Sequence, residues 1–180
     1  VASDGSVYVA DSVNERIQKF TFDGVFISKW GTEGTGDGEF KIPRGVAVAS
    51  DGSVYVSDQF NNRIEKFTSE GVFVTKWGTS GTGDGEFDYP GGVAVASDGS
   101  VYATDTGNDR IQKFTSEGVF VTKWGTSGMG DGEFDYPYGI AVASDGSVYV
   151  ADSRNDRIQR FPSEGVFVTK WGTRGTGDGE

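Results

Sequence analysis

Short apolar runs, each bounded by turn-forming residues, follow one another along the whole chain. Between residues 45 and 78 they read GVAVAS, SVYVSD, RIEKFT and VFVTKWG, with Asp-Gly, Gln-Phe-Asn-Asn and Ser-Glu-Gly between them. Val, Ile, Phe, Tyr, Trp and Thr dominate the runs, and such side chains suit a pleated, half-buried surface. No 3.6-residue hydrophobic period appears, so the pattern predicts four short strands and no helix. Asp51-Gly52 predicts a two-residue hairpin, because both residue types tolerate positive φ. Ser69-Glu70-Gly71 predicts a second short hairpin, and Asn61-Asn62 lie in a third, slightly longer connection. The unit is a four-stranded antiparallel meander.

The unit repeats. Trp30, Trp77, Trp124 and Trp171 are spaced by 47 residues, as are Asp4, Asp51, Asp98 and Asp145. The period divides the chain into 1–39, 40–86, 87–133 and 134–180. Periods of about 20–50 residues mark solenoids, propellers and arrays. The first strand of each unit holds only Gly, Val, Ala or Ile before its turn, which suits a crowded centre. The last strand carries large residues, Phe73 and Trp77, which suit a wider periphery. Phe73 points to one face of that strand and Val72 and Val74 to the other, so neighbouring sheets are expected to cover both faces. Small inner strands, large outer strands and four strands per period predict an all-β β-propeller of four-stranded antiparallel blades, about four in this chain. Between blades runs T-x-G-x-G-D-G-E-F-x-x-P-x-G, in which Phe40, Phe87 and Phe134 are expected to plug the crevices. The chain opens at the counterpart of Val48 and stops on GDGE, short of four whole periods. Three arrangements fit: a segment of a larger propeller or array, a subunit completed by other copies of itself, or a ring of four blades closed on itself.

These residues resemble NHL repeats. The matching pattern is GDGEF-x-x-P-x-G-V-A-V-A-x-D-G-x-V-Y-V-x-D-x-x-N-x-R-I-x-x-F, and it runs through the entire chain. The resemblance implies a propeller, typically six-bladed, of a kind that often binds proteins and sometimes RNA. NHL repeats usually place His after the Asn. Here that position holds Glu15, Asn62, Asp109 and Asp156, while Asn14, Asn61, Asn108 and Asn155 and the following arginines remain. Related propellers include lyases with His-bound zinc and Ca²⁺-dependent lactonases, whose ligands surround the central channel.

Charge and composition narrow the partners. Lys and Arg number 16 against 27 Asp and Glu, a net charge of −11. The basic residues form no run, so nucleic acid is not expected as a partner. No stretch approaches the ~18 apolar residues of a membrane span. Cysteine is absent, and with it disulfide and thiolate chemistry. Histidine is absent, and with it His-based acid–base catalysis, His metal ligands and the zinc chemistry of the lyases. No cofactor is expected. Near-identical repeats are common in extended surface proteins, which favours an extracellular or cell-surface setting.

Propeller geometry sorts the loops into two faces. The turns from strand one to two read SDGS, those from three to four read SEG in three of four copies, and both hardly vary. The turns from strand two to three, and the crossovers between blades, vary. Val13, Arg44, Phe60, Tyr138, Arg154 and Arg174 stand at those variable places and are the binding-face candidates. Aromatic and Arg side chains are the usual anchors of interfaces, although exposed loop tips also drift freely. The pairs Asp11/Arg16, Asp58/Arg63, Asp105/Arg110 and Asp152/Arg157 flank the two-to-three turns and read as structural charge pairs. Four identical copies argue against catalysis, which needs one asymmetric constellation. Asp37, Asp84, Asp131 and Asp178, with the neighbouring Glu39, Glu86, Glu133 and Glu180, are candidates for Ca²⁺. The competing reading is that acids between glycines cap backbone N–H groups in a tight turn. The expected function is a non-catalytic interaction or structural scaffold that binds a protein, a glycan or itself through the variable face. The alternative is a Ca²⁺-dependent lactonase-like or lyase-like enzyme whose site lies mostly outside these residues.

Overall fold

A computed structural model describes residues 1–180. It contains fifteen strands in four antiparallel sheets. The first sheet is β1 (Val7–Asp11), β2 (Arg16–Phe20) and β3 (Phe26–Trp30). The second is β4 (Pro43–Val48), β5 (Val54–Asp58), β6 (Arg63–Phe67) and β7 (Phe73–Trp77). The third is β8 (Pro90–Val95), β9 (Val101–Asp105), β10 (Arg110–Phe114) and β11 (Phe120–Trp124). The fourth is β12 (Pro137–Val142), β13 (Val148–Asp152), β14 (Arg157–Phe161) and β15 (Thr169–Trp171). Each sheet is a meander in chain order. The first has three strands because Val1 is the counterpart of Val48, the last residue of the inner strand β4. No helix is long and apolar enough to cross a membrane.

The inner strands β4, β8 and β12 lie side by side, and consecutive sheets pack against one another in order. Glycine permits this approach. A Cβ on Gly45 would lie 2.8 Å from Gly91 O and Val93 N, and one on Gly92 would lie 2.6 Å from Tyr138 O. No packed seam joins the first sheet to the last, so the blades form an arc and not a four-bladed ring closed on itself.

The hydrophobic core sits in the seams. Tyr8, Ile17, Phe40, Val54, Val56 and Phe67 form the first, with Trp30 and Phe73 packed against it. Tyr55, Ile64, Phe87, Val93, Val101, Ala103 and Phe114 form the second, and Tyr102, Ile111, Phe134, Val148, Val150 and Phe161 the third. Phe40, Phe87 and Phe134 are fully buried, so the crossover phenylalanine does plug each crevice. Burying a Phe stabilises by roughly 1.5–3 kcal/mol. Trp30 closes the outer end of its seam beneath the next blade's hairpin: a Cβ on Gly71 (φ +84°) would lie 2.5 Å from its ring. Trp171 has no such hairpin over it and is 47% exposed.

Two expectations fail locally. The Asp51-Gly52 hairpin has three loop residues, not two. Ala49 and Ser53 pair, Gly52 N–H donates to Ala49 O, and only Gly52 has positive φ (+86°). Asp51 instead accepts the Ser53 N–H at 2.9 Å, which holds its carboxyl below the usual range and fixes a type I turn before the glycine. The second difference concerns β7. Val72 and Val74 are 62% and 51% exposed, and no neighbouring sheet covers them. The fourth strand lies where the wedge-shaped seam is widest, and only its Phe73 and Trp77 side chains pack inward, Phe73 on Phe67 of its own blade and Trp77 on Phe114 of the next.

Candidate binding face and the clasp beneath it

The turn between β5 and β6 is a single 3₁₀ turn, Gln59–Asn61, closed by Asn62 in the left-handed region (φ +53°). Three polar residues around it hold the preceding crossover. Asp58 Oδ1 accepts the Lys41 N–H at 2.7 Å, while its Oδ2 accepts from Asn61 Nδ2 at 2.7 Å and Arg63 Nε at 2.9 Å. Arg63 Nη1 donates to Thr35 O at 2.6 Å, and Nη2 donates to Gly36 O at 2.9 Å and Glu39 O at 2.6 Å. Asn61 also donates to Gly34 O at 2.8 Å. The Asp–Asn–Arg set is thus a clasp that satisfies the carbonyls of a glycine-rich loop. Asp105 and Arg110 repeat it on Thr82, Gly83 and Glu86, and Asp152 and Arg157 repeat it on Met129, Gly130 and Glu133. Arg16 meets Asp11 at 2.7 Å but grips no crossover. Burial pushes the Asp58 and Asp105 carboxyls up, against the N–H, amide and guanidinium donors aimed at them.

The GDGE acids have separate tasks. Glu39, Glu86 and Glu133 each accept the N–H of the glycine three residues before them, at 2.7–2.8 Å. Asp37, Asp84 and Asp131 pair with Lys76, Lys123 and Lys170 of the following blade at 2.9, 2.8 and 2.7 Å. Asp178 and Glu180 sit in the fourth, exposed copy, where Glu180 accepts the Gly177 N–H. Nowhere does the fold gather three or more of His, Cys, Asp and Glu into a group that could hold a metal ion.

A buried residue inside the clasp breaks the repetition. Gln18, Gln112 and Gln159 face their clasps, and the last two donate from Nε2 to Glu86 O and Glu133 O at 2.6 Å. The second blade has Glu65 instead. Its Oε2 accepts the Gly38 N–H at 2.9 Å, as Gln112 and Gln159 Oε1 accept from Gly85 and Gly132. Its Oε1 is buried without a hydrogen bond. Arg63 Nη2 lies 2.5 Å from that oxygen, but its hydrogens are directed at Gly36 O and Glu39 O. Burial, opposed by Arg63 and reinforced by the Asp58 charge, pushes the Glu65 carboxyl up to about 7. A proton on Oε1 restores the donor that glutamine supplies.

Above the clasp lies the variable face. Glu15 Oε2, Asn62 Oδ1 and Asp109 Oδ1 accept the N–H groups of Ile42, Tyr89 and Tyr136 at 2.5, 2.9 and 2.8 Å. Ile42, Tyr89 and Tyr136 all have positive φ (+60°, +50° and +58°). Large side chains rarely adopt that conformation, and it costs about 1–2 kcal/mol. The positions where NHL repeats usually hold His therefore pin a strained crossover that displays its side chain. Phe60 meets Tyr89 edge-on with centroids 5.2 Å apart, Tyr136 stacks with Tyr138 at 6.1 Å, and the Arg154 guanidinium lies 4.4 Å above Tyr136. Arg44, Gln59, Phe60, Tyr89, Gly107 and Tyr136 line a hollow of about 390 Å³.

Of the sequence candidates, the fold brings Arg44 and Phe60 together and sets both Tyr138 and Arg154 against the Tyr136 ring. Arg174 lies apart, in a second hollow of about 450 Å³ that it shares with Arg154. Val13 is 90% exposed and lines neither. Sequence reasoning missed Tyr89 and Tyr136, which read there only as spacers in F-x-x-P. Their signal was the change from Ile42 to Tyr at the matching position of the next two crossovers.

The NHL repeat family model matches residues 40–67, 87–114 and 134–161. Comparison with curated protein sequences finds no significant match. Among solved structures, virginiamycin B lyase from Staphylococcus aureus superposes with a TM-score of 0.72 at 22% identity, over 96% of this chain and 53% of the lyase. A propeller in a nidogen/laminin complex gives 0.68 at 15% identity, over 94% and 61%, and the WD40 repeats of RRP9 give 0.72 at 15%, over 93% and 48%. The chain thus spans about half the length of these structures, and at such identities the likeness concerns the fold. Three matched copies in register with a 47-residue period identify the chain as a tandem array of NHL repeats folded into consecutive β-propeller blades.

Proposed function

We propose that this array is a non-catalytic interaction scaffold. It binds a protein, a glycan or another copy of itself through the face formed by the strand two-to-three turns and the crossovers. The observation that carries this reading is the cluster of Phe60, Tyr89, Tyr136, Tyr138, Arg44 and Arg154 on that face alone. The opposite face presents Ser-Asp-Gly hairpins and, in three of four blades, Ser-Glu-Gly hairpins, with Phe22 as the one aromatic exception in the first blade. A propeller solved within a nidogen/laminin complex supports a binding role. The lyase neighbour supports the competing reading, an enzyme whose reacting groups stand on other blades. That reading has less support here, because the chain has no His and its inner strands offer mainly Gly, Val, Ala and Ile.

Peptide and glycan arrays test the proposal with three proteins: the unaltered chain, Phe60→Ser/Tyr136→Ser, and the opposite-face variant Glu70→Ala/Glu117→Ala. Binders lost only in the first variant support it. Binders lost only in the second, or indifferent to both, overturn it.

A further inference from the structure

We propose that the hollow between the second and third blades is a peptide site that selects a carboxylate standing next to an aromatic or large aliphatic side chain. This deepens the interaction reading above and rests on it. Three departures from the repeat coincide there. Arg44 stands where the other crossovers have Gly91 and Tyr138, Gln59 where the other turns have Ser12, Thr106 and Ser153, and Gly107 where they have Val13, Phe60 and Arg154.

Each departure has a chemical consequence. Ser12 Oγ and Thr106 Oγ1 donate to Pro43 O and Pro137 O, which ties each turn to the following inner strand. Gln59, although only 5% exposed, instead turns its Oε1 to Arg44 Nε at 3.0 Å. This bond orients the guanidinium and leaves both terminal nitrogens of Arg44 without a protein acceptor. A planar fork of free N–H donors matches a carboxylate. The guanidinium end of the hollow presents donors alone, which suits a carboxylate there.

Gly107 supplies the concavity. With no side chain at that turn, the rings of Phe60, Tyr89 and Tyr136 wall an opening of about 390 Å³. That volume lies within the range of small-ligand sites and suits a unit of about two residues. The walls are preorganised, because Asn62 and Asp109 hold the backbones of Tyr89 and Tyr136. Asp88 is the acid beside Gly107: a Cβ there would lie 2.4 Å from its Oδ2. Its charge repels a ligand carboxylate from that end, toward Arg44, and leaves the apolar side chain for the rings.

The test is a titration of the full chain with acetyl-Glu-Phe-amide and, separately, acetyl-Gln-Phe-amide, followed by two-dimensional amide NMR. The expected result is movement of the Gly107 and Tyr89 amides, with the Gln peptide at least tenfold weaker. Arg44→Met should abolish the discrimination, and Arg44→Lys, which keeps the charge and loses the fork, should reduce it. Phe60→Ser should weaken both peptides. Unmoved amides of the opposite-face hairpins verify that each variant is folded. Equal binding of both peptides, discrimination that survives Arg44→Met, or no movement at Gly107 at millimolar peptide overturns the proposal. The array experiment separates the two levels. Array binders that depend on the face while Gly107 stays silent remove only the hollow. Absence of any face-dependent binder removes the scaffold reading with it.

Discussion

The second and third blades share strands, seam and clasp, yet differ where the backbone leaves a side chain free. Asp58, Asn61 and Arg63 match Asp105, Asn108 and Arg110 in identity and in their hydrogen bonds to the crossover. Phe60 faces Gly107 at the turn tip, Arg44 faces Gly91 at the crossover, and Ile42 faces Tyr89. Carbonyls in a glycine-rich loop accept only a particular set of donors at a particular reach, so the clasp is uniform. A solvent-facing tip has no such demand, so it can carry recognition. Glu65 against Gln112 is a buried difference, and it lies inside the clasp.

The largest effect should come from breaking the clasp. Arg110→Met leaves Asp105 buried and unpaired and strands three crossover carbonyls, and should cost about 3–5 kcal/mol in urea denaturation. Arg16→Met, at the first blade's half-buried pair that grips no crossover, should cost far less. Equal losses would show that the grip on the crossover contributes nothing.

The next comparison exchanges the buried pair. Glu65 holds its proton to about pH 7 in the folded chain and releases it near 4.5 when unfolded. The folded state therefore binds more protons between those values, so its stability falls as pH rises from about 4.5 to about 7 and then levels off. Glu65→Gln should remove that slope. It should match the unaltered chain below pH 4.5 and exceed it at pH 8 by on the order of 2 kcal/mol. Gln112→Glu should introduce the same slope in the third blade. Parallel stability–pH curves for Glu65→Gln and the unaltered chain would contradict the assignment.

Smaller changes sharpen the contrast at the surface. Gly107→Phe copies the second blade's tip into the third, but its Cβ meets Asp88 Oδ2 at 2.4 Å and the Asp88 carbonyl at 2.9 Å, so it should cost about 1 kcal/mol. It should also abolish the response to acetyl-Glu-Phe-amide, by filling the hollow. Lys123→Ala removes the exposed pair with Asp84 and should cost no more than about 0.5 kcal/mol at low salt. In 1 M NaCl the cost should vanish, and a cost that persisted there would mean the pair is more than a screened surface contact.

The sequence carried the architecture because the architecture is periodic. A 47-residue interval, small inner runs and large outer ones were enough to read strands, blades and the crossover phenylalanines. The Asp–Arg pairs were visible too, since they face each other across one turn. What tertiary structure alone decided lies between elements far apart in the chain. Arg63 reaches carbonyls 24–28 residues earlier, and no local pattern announces an acceptor of that kind. Tyr89 takes a left-handed backbone because Asn62, in the preceding blade, captures its N–H. Val72 and Val74 are exposed because the seam widens outward, a property of the wedge and not of their strand. Periodicity records which face of a strand is apolar, but burial and partner choice depend on what the neighbouring blade brings within reach.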